Sequence, residues 1–193
     1  MPPDATETKR RLMKAAVEEF AAYGLAGARI DRIAENAKAN KRSIYMHFGT
    51  KEELFDKVVA DSMSELATAV AIDAGNLPDY AGELYDQLER RPHVRRLYLW
   101  AGLERQRPID AEVAEYRRNV HAIQAAQEAG RIRTDIPALD LMAMVIALVI
   151  SWDTASWSLK ALRPEAAHQP PAGHRAAMAA AVTALARPSP AHA

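Results

Sequence analysis

A chain of 193 residues, half of them apolar, has the size for one large domain or a small domain joined to a larger one. It contains no cysteine, which excludes a disulfide framework and thiolate metal sites and fits a reducing cytoplasm. Formal net charge is zero, so bulk charge alone gives no reason to expect a nucleic-acid partner.

The charge is uneven, however. Between Arg29 and Lys51 six cations (Arg29, Arg32, Lys38, Lys41, Arg42, Lys51) face two acids (Asp31, Glu35), a net +4, whereas Val58 onward carries 14 Lys or Arg and 16 Asp or Glu. A basic head on a slightly acidic body points to an anionic partner at one end. The N-terminal stretch is charged and lacks the apolar run of a signal peptide.

Residues 1–5 read as loose, and Thr8 is a good cap for a first helix. Leu12, Ala15, Ala16, Phe20 and Tyr23 then recur at three- and four-residue spacing, and Gly24 is placed to end the helix. A short second helix is expected from Arg29 to Ala37, with Ile30, Ile33, Ala34 and Ala37 inward. Lys38-Ala39-Asn40 turns the chain. Asn40 caps a third helix from Lys41 to about His47, with Ile44 and Phe48 inward, and Gly49 breaks it. Thr50-Lys51-Glu52-Glu53 is a capping box that opens a long fourth helix.

Two helices, a tight turn and a second short helix with outward cations are the helix-turn-helix plan, in which the second helix lies in the major groove. Later helices are expected from Tyr80 to Arg91, from Pro92 onward, and from near Pro108 to Glu128 with Gly130 as its stop. The run Ala138–Leu162 is the most apolar in the chain; its Leu141–Ile150 part could be a buried strand on periodicity alone, but its length favours a buried helix, which continues to carry Trp152 and Trp157. Its apolar centre is bracketed by Asp140 and Asp153 and is too short for a membrane span. Pro164, Pro170, Pro171 and Gly173 mark a loop before a last alanine-rich helix, about His174 to Ala186. The expected fold class is all-α, divided at residues 1–52 and 53–193.

The strings Leu12-x-x-Ala15-Ala16-x-x-x-Phe20-x-x-x-Gly24, Ile33-Ala34 and Ser43-Ile44-Tyr45-x-His47-Phe48-x-x-Lys51-Glu52-x-Leu54 make the segment from Thr8 to Val59 resemble the tetracycline-repressor (TetR/AcrR) family of transcriptional regulators. The resemblance implies a homodimer with a three-helix DNA-binding head and a helical ligand-binding body whose last two helices pair across the dimer. Three departures stand out. Lys38 occupies a turn position where the family usually has glycine, Ala28 and Arg29 replace a hydroxyl cap, and Arg42 replaces a small residue.

The residues expected at DNA are Arg29, Asn40, Lys41, Arg42, Ser43, Tyr45, Met46, His47, Thr50 and Lys51. Arg42 and Lys41 suit base edges, since arginine pairs with guanine in bidentate fashion, though attraction to phosphate alone would also explain them. The resemblance implies backbone contacts from the polar tips of Tyr45 and His47; packing of Tyr45 on the first helix and a structural cap by His47 are the competing readings. Lys51 lies where a helix dipole disfavours a cation, which suggests an external phosphate.

Met63, Tyr98, Trp100, Leu103, Tyr116, His121, Met142 and Ile146 are candidates for an effector pocket, although a helical bundle needs such residues as core. Trp152, Trp157, Met178 and Val182 are candidates for the dimer interface.

No phosphate loop, dinucleotide fingerprint or nucleophile elbow is present, and His168 and His174 flank prolines rather than share a helix turn. Neither an enzyme nor a metal or other cofactor is expected. Glu112 and Glu115 read as an exposed charged face. The expected partners are double-stranded operator DNA, a small apolar effector and a second copy of the chain, with no membrane. The expected function is a dimeric repressor binding a palindromic operator through Lys41–His47 and released by its effector. An activator, a DNA-binding protein without a ligand and, more remotely, a small helical enzyme are the alternatives.

Overall fold

The computed structural model describes residues 5–105, 107–162, 170 and 173–188. The described residues form eleven helices and no strand. In chain order these are α1 (Ala5–Gly27), α2 (Ile30–Asn36), α3 (Lys41–Phe48), α4 (Lys51–Ala69), α5 (Leu77–Arg90), α6 (Pro92–Glu104), α7 (Asp110–Glu128), α8 (Ala138–Val149), α9 (Ser151–Thr154), α10 (Trp157–Lys160) and α11 (His174–Ala186). Pro164, His168 and Pro171 lie outside the described residues.

The chain divides into two compact units. The first comprises Met1–Ala67 with Leu88–Val113, and the second Thr68–Gln87 with Ala114–Ala193. Compactness therefore groups most of α4 and all of α6 with the first three helices.

In the first unit, Leu12, Ala15, Ala16 and Phe20 of α1, Ile30, Ile33 and Ala34 of α2, Ile44 and Phe48 of α3 and Leu54, Phe55, Val58 and Val59 of α4 form one buried cluster, which Leu97 of α6 joins. Phe20 and Phe55 meet edge to face at its centre, 5.1 Å between centroids. Glu19 also lies on the buried side of α1, a carboxylate among apolar neighbours. Arg105, just beyond α6, bonds Asp56 of α4 at 2.8 Å and Glu112 of α7 at 3.1 Å. Glu112 is thus half-buried and paired rather than part of a free charged face, whereas Glu115 pairs with Arg118.

The first helix does not end at Gly24. Gly24 takes φ 66°, ψ −173°, a kink inside α1, and a further turn follows to Gly27. The C-terminus of α2 is a Schellman motif, with Ala39 N–H donating to the Ala34 carbonyl and Lys38 N–H to that of Glu35, both at 2.9 Å. That motif needs a left-handed residue, and Lys38 supplies it at φ 50°. A lysine there is less favourable than glycine by roughly 1 kcal/mol. Lys38→Gly is therefore expected to raise the thermal midpoint by a few degrees; a scan showing an unchanged or lower midpoint would refute strain at this turn.

In the second unit, α8 and α11 pack together and bury Leu141, Met142, Val145 and Val149 with Met178 and Val182. Tyr80 of α5 is also buried; burial, and then the nearby Glu115 charge, push its phenol up to about 12. The connector after α7 is pinned by Gln127, which donates to the carbonyls of Arg133 (2.9 Å) and Ile136 (2.8 Å). Arg175 makes a two-pronged pair with Asp86, both contacts at 2.8 Å. The apolar run expected as one helix to Leu162 breaks at Ile150, whose φ of −97° and ψ of 12° leave α-helical geometry. Beside the break, the Ser151 hydroxyl donates to the Leu148 carbonyl at 2.7 Å.

Candidate nucleic-acid interface

The third helix is anchored by Ile44 and Phe48, four residues apart and buried, so the rest of its surface faces outward. Lys41, Arg42, Tyr45, Met46 and His47 are exposed, Tyr45 at 49% and Met46 at 73%, while Ser43 is half-buried. Seven or eight residues thus present two cations, a phenol, an imidazole and a flexible thioether on one surface. The His47 ring lies edge to face with Phe48 at 6.0 Å, and Lys9 Nζ of α1 lies 6.0 Å from the centre of the same Phe48 ring.

Both ends of α3 are built by local sequence. The Asn40 side chain accepts from Arg42 N–H at 2.8 Å, so its oxygen is committed to the cap. At the far end Gly49 closes the helix, and the capping box forms reciprocally. Glu53 N–H donates to the Thr50 hydroxyl at 3.1 Å, and Thr50 N–H to the Glu53 carboxylate at 2.7 Å.

The cations are not equivalent. Lys41 Nζ lies 2.8 Å from the Asp31 carboxylate of α2, a hydrogen-bonded pair that raises the lysine and lowers the aspartate from their usual values. Arg42 is exposed, and its guanidinium has no partner among the described residues. Lys51 is half-buried and donates to the Ala28 carbonyl at 3.2 Å, which ties the start of α4 to the α1–α2 joint. One of the three ammonium donors of Lys51 is thus committed to an internal carbonyl.

The missing hydroxyl cap of α2 has a replacement that its local sequence does not show. Arg29 stands at the cap position without a side-chain cap bond, and its N–H donates instead to Glu19 Oε1 at 2.7 Å. Arg32 holds the same carboxylate through Nε (2.9 and 3.1 Å) and Nη2 (2.7 Å). It also donates to the Gly27 carbonyl at 3.1 Å and lies over the Tyr23 ring, 4.2 Å from its centre. The only sequence signal for Glu19 is a carboxylate on the stripe of Leu12, Ala15, Ala16 and Phe20.

The eight residues considered for an effector pocket divide between the units. Met63 and Trp100 pack on the first unit's core, Tyr98 is half-buried, and Leu103 is exposed. In the second unit Met142 is buried, Ile146 half-buried, and Tyr116 and His121 exposed. Of the four interface candidates, Met178 and Val182 are buried by the chain itself, because they are the side of α11 that packs on α8. Trp157 is exposed, and Trp152 is half-buried against His174, 5.9 Å between ring centres.

An all-helical chain whose paired α2 and α3 present such a surface is a helix-turn-helix DNA-binding protein. Residues 12–58 match the bacterial regulatory proteins of the tetR family, and residues 76–184 match the tetracyclin repressor-like C-terminal domain. The chain belongs to the TetR family and is a DNA-binding transcriptional regulator. It is 41% identical over 160 residues to the HTH-type transcriptional repressor SCO4008 of Streptomyces coelicolor, a match covering 81% of this chain and 80% of that protein. It is 29% identical over 160 residues to the HTH-type transcriptional repressor NicS of Pseudomonas putida, covering 75% and 74%. The crystal structure of SCO4942 from Streptomyces coelicolor superposes with a TM-score of 0.79 at 33% identity, covering 93% of this chain and 98% of that one. Among the described residues, no helix is long and apolar enough to cross a membrane.

Proposed function

We propose that the chain is a cytoplasmic, dimeric repressor that binds a two-fold operator through α3 and releases it when a small apolar molecule binds the body. The observation that carries this reading is the outward face of α3. Ile44 and Phe48 fix the helix, and Arg42, Tyr45, Met46 and His47 are left exposed. Arg42 is the base reader, because Lys41 is already paired with Asp31 while the Arg42 guanidinium has no partner among the described residues. Tyr45, His47, Ser43 and Thr50 serve the phosphates, and Met46 suits a thymine methyl. The names of the relatives support repression over activation. The functional division is residues 1–52 for DNA and 53–193 for effector and dimer.

The dimer face is assigned to the outer sides of α8 and α11. Leu139 (65% exposed), Met144 (44%), Ala143 and Ala147 lie on one, and Ala177, Ala180, Ala181 and Ala184 on the other. These residues repeat at helical spacing opposite the buried Val145 and Val182, and the alanines allow close helix approach. Two copies related by a two-fold axis would present α3 twice, about 34 Å apart on successive major-groove faces.

Selection of genomic fragments with the purified protein tests the reading, and it fails if no fragment is enriched. On the selected operator, Arg42→Ala is expected to lose roughly 1–3 kcal/mol of affinity and relax the preference at one base pair of each half-site. An equal loss on every duplex would move Arg42 to the phosphates.

A further inference from the structure

The kink in α1 leaves four backbone groups to be satisfied. In an unbroken helix Leu25 N–H would donate to the Ala21 carbonyl and Ala26 N–H to that of Ala22. Gly24, at φ 66° and ψ −173°, interrupts those two rungs. Two side chains of α6, about two turns apart, take the places of the missing partners. Arg96 Nε donates to Ala21 O at 2.5 Å and Nη2 to Ala22 O at 3.1 Å. Glu104 Oε2 accepts from Leu25 N–H at 2.5 Å and Oε1 from Ala26 N–H at 3.1 Å. The cation serves the carbonyls and the anion serves the amides, so each charge matches the partial charge it meets. Trp100, between them on α6, closes over Gly24 so tightly that a Cβ there would lie 2.8 Å from its ring.

This clamp sits at the point where α1 hands the chain to the reading head. Four residues after the kink, the Ala28 carbonyl is held by Lys51, and the next N–H, of Arg29, by Glu19. Helix α2 begins immediately afterwards and packs on both α1 and α3. A change in the kink angle therefore reaches α3 with little slack. The chain that precedes and follows this segment, Thr68–Gln87 and Ala114 onward, belongs to the second unit. Helix α6 is thus the part of the later chain built into the head.

We infer that Arg96 and Glu104 are positioning residues for operator binding: they hold the α1 kink and through it the orientation of α3. This rests on the DNA-binding reading above. Neither residue touches DNA in this role, so their removal should alter geometry without altering the count of phosphate contacts.

The test uses the full-length protein, its selected operator, a set of operators whose half-site spacing is changed one base pair at a time, and an unrelated duplex. Arg96→Ala and Glu104→Ala are each expected to lose about tenfold or more on the selected operator. They should broaden the spacing preference and leave both the salt dependence and the affinity for the unrelated duplex unchanged. Glu104→Gln, whose amide oxygen still accepts one N–H, should recover much of the loss. Unchanged affinity and spacing preference would overturn the inference. So would an equal loss on all duplexes from a variant that circular dichroism shows to be folded. Should an alanine variant fail to fold, Arg96→Lys, whose single ammonium cannot span both carbonyls, is read in its place: broadened spacing supports the inference and an unchanged preference overturns it. Wild-type protein that binds no duplex removes the DNA-binding reading, and this inference with it.

Discussion

Gly24→Ala is expected to lower the stability of the first unit by roughly 4 kcal/mol. Two costs add. The backbone of Gly24, at φ 66° and ψ −173°, lies in a region that is essentially closed to residues with a Cβ. That alone costs about 1–3 kcal/mol. The added methyl would also stand 2.7 Å from Glu104 Oε2 and 2.8 Å from two ring carbons of Trp100. Trp100 is packed against the core and has little room to move. Glu104 is the softer neighbour, and when it moves it releases the N–H groups of Leu25 and Ala26. Gly27→Ala provides the control. Gly27 is helical, and a new Cβ would lie 3.3 Å from Tyr23 Cβ, a tight contact that needs a shift of only a few tenths of an ångström, so its effect should be well below that at Gly24. Urea unfolding of both variants decides the point: a Gly24→Ala loss below about 1 kcal/mol, or equal losses at the two glycines, would show that the kink is not held as described.

What could be read from the sequence here is what is local. The Asn40 cap, the Thr50–Glu53 box and the Gly49 stop have partners within five residues, so spacing alone exposes them, whereas the left-handed turn at Lys38 follows only from the family resemblance. The outward face of α3 follows from Ile44 and Phe48 for the same reason. Glu104 and Arg96 are different. Their partners lie 79 and 75 residues away, and on α6 they read as ordinary surface charges. Trp100, Met178 and Val182 show another limit. Helical periodicity marks them as facing something apolar but cannot say whether that is an effector, another copy or the chain's own core. The break at Ile150 was hidden because apolar residues continue across it. Lys51 was legible as a cation at a helix start, but its bond to a carbonyl 23 residues earlier was not.

Glu19→Ala is expected to cost about 2–3 kcal/mol of stability in the first unit, more than Glu19→Gln. The carboxylate side chain is only 2% exposed, yet it takes three roles at once. It accepts the Arg29 N–H that opens α2, it pairs with Arg32, and its stem fills part of the face that packs α1. Losing an N-cap acceptor contributes about 1 kcal/mol; an emptied buried site and a cation deprived of its anion supply the remainder. Glutamine keeps an acceptor and the volume, so it should recover the capping share and leave only the loss of charge. Arg32→Ala should also destabilise, because it strands the buried carboxylate with one N–H for company, whereas removing Glu19 leaves a guanidinium that is 35% exposed and still bonded to Gly27 O. The two changes share one interaction, so the double variant should lose less than the two single losses combined. Strict additivity in that cycle would mean that the pair is a surface ornament and that α2 is capped some other way. The same variants bear on operator binding, because α2 carries Asp31, which holds Lys41 at the mouth of α3. If Glu19 sets the start of α2, its loss should weaken operator binding more than its stability cost alone would remove folded protein.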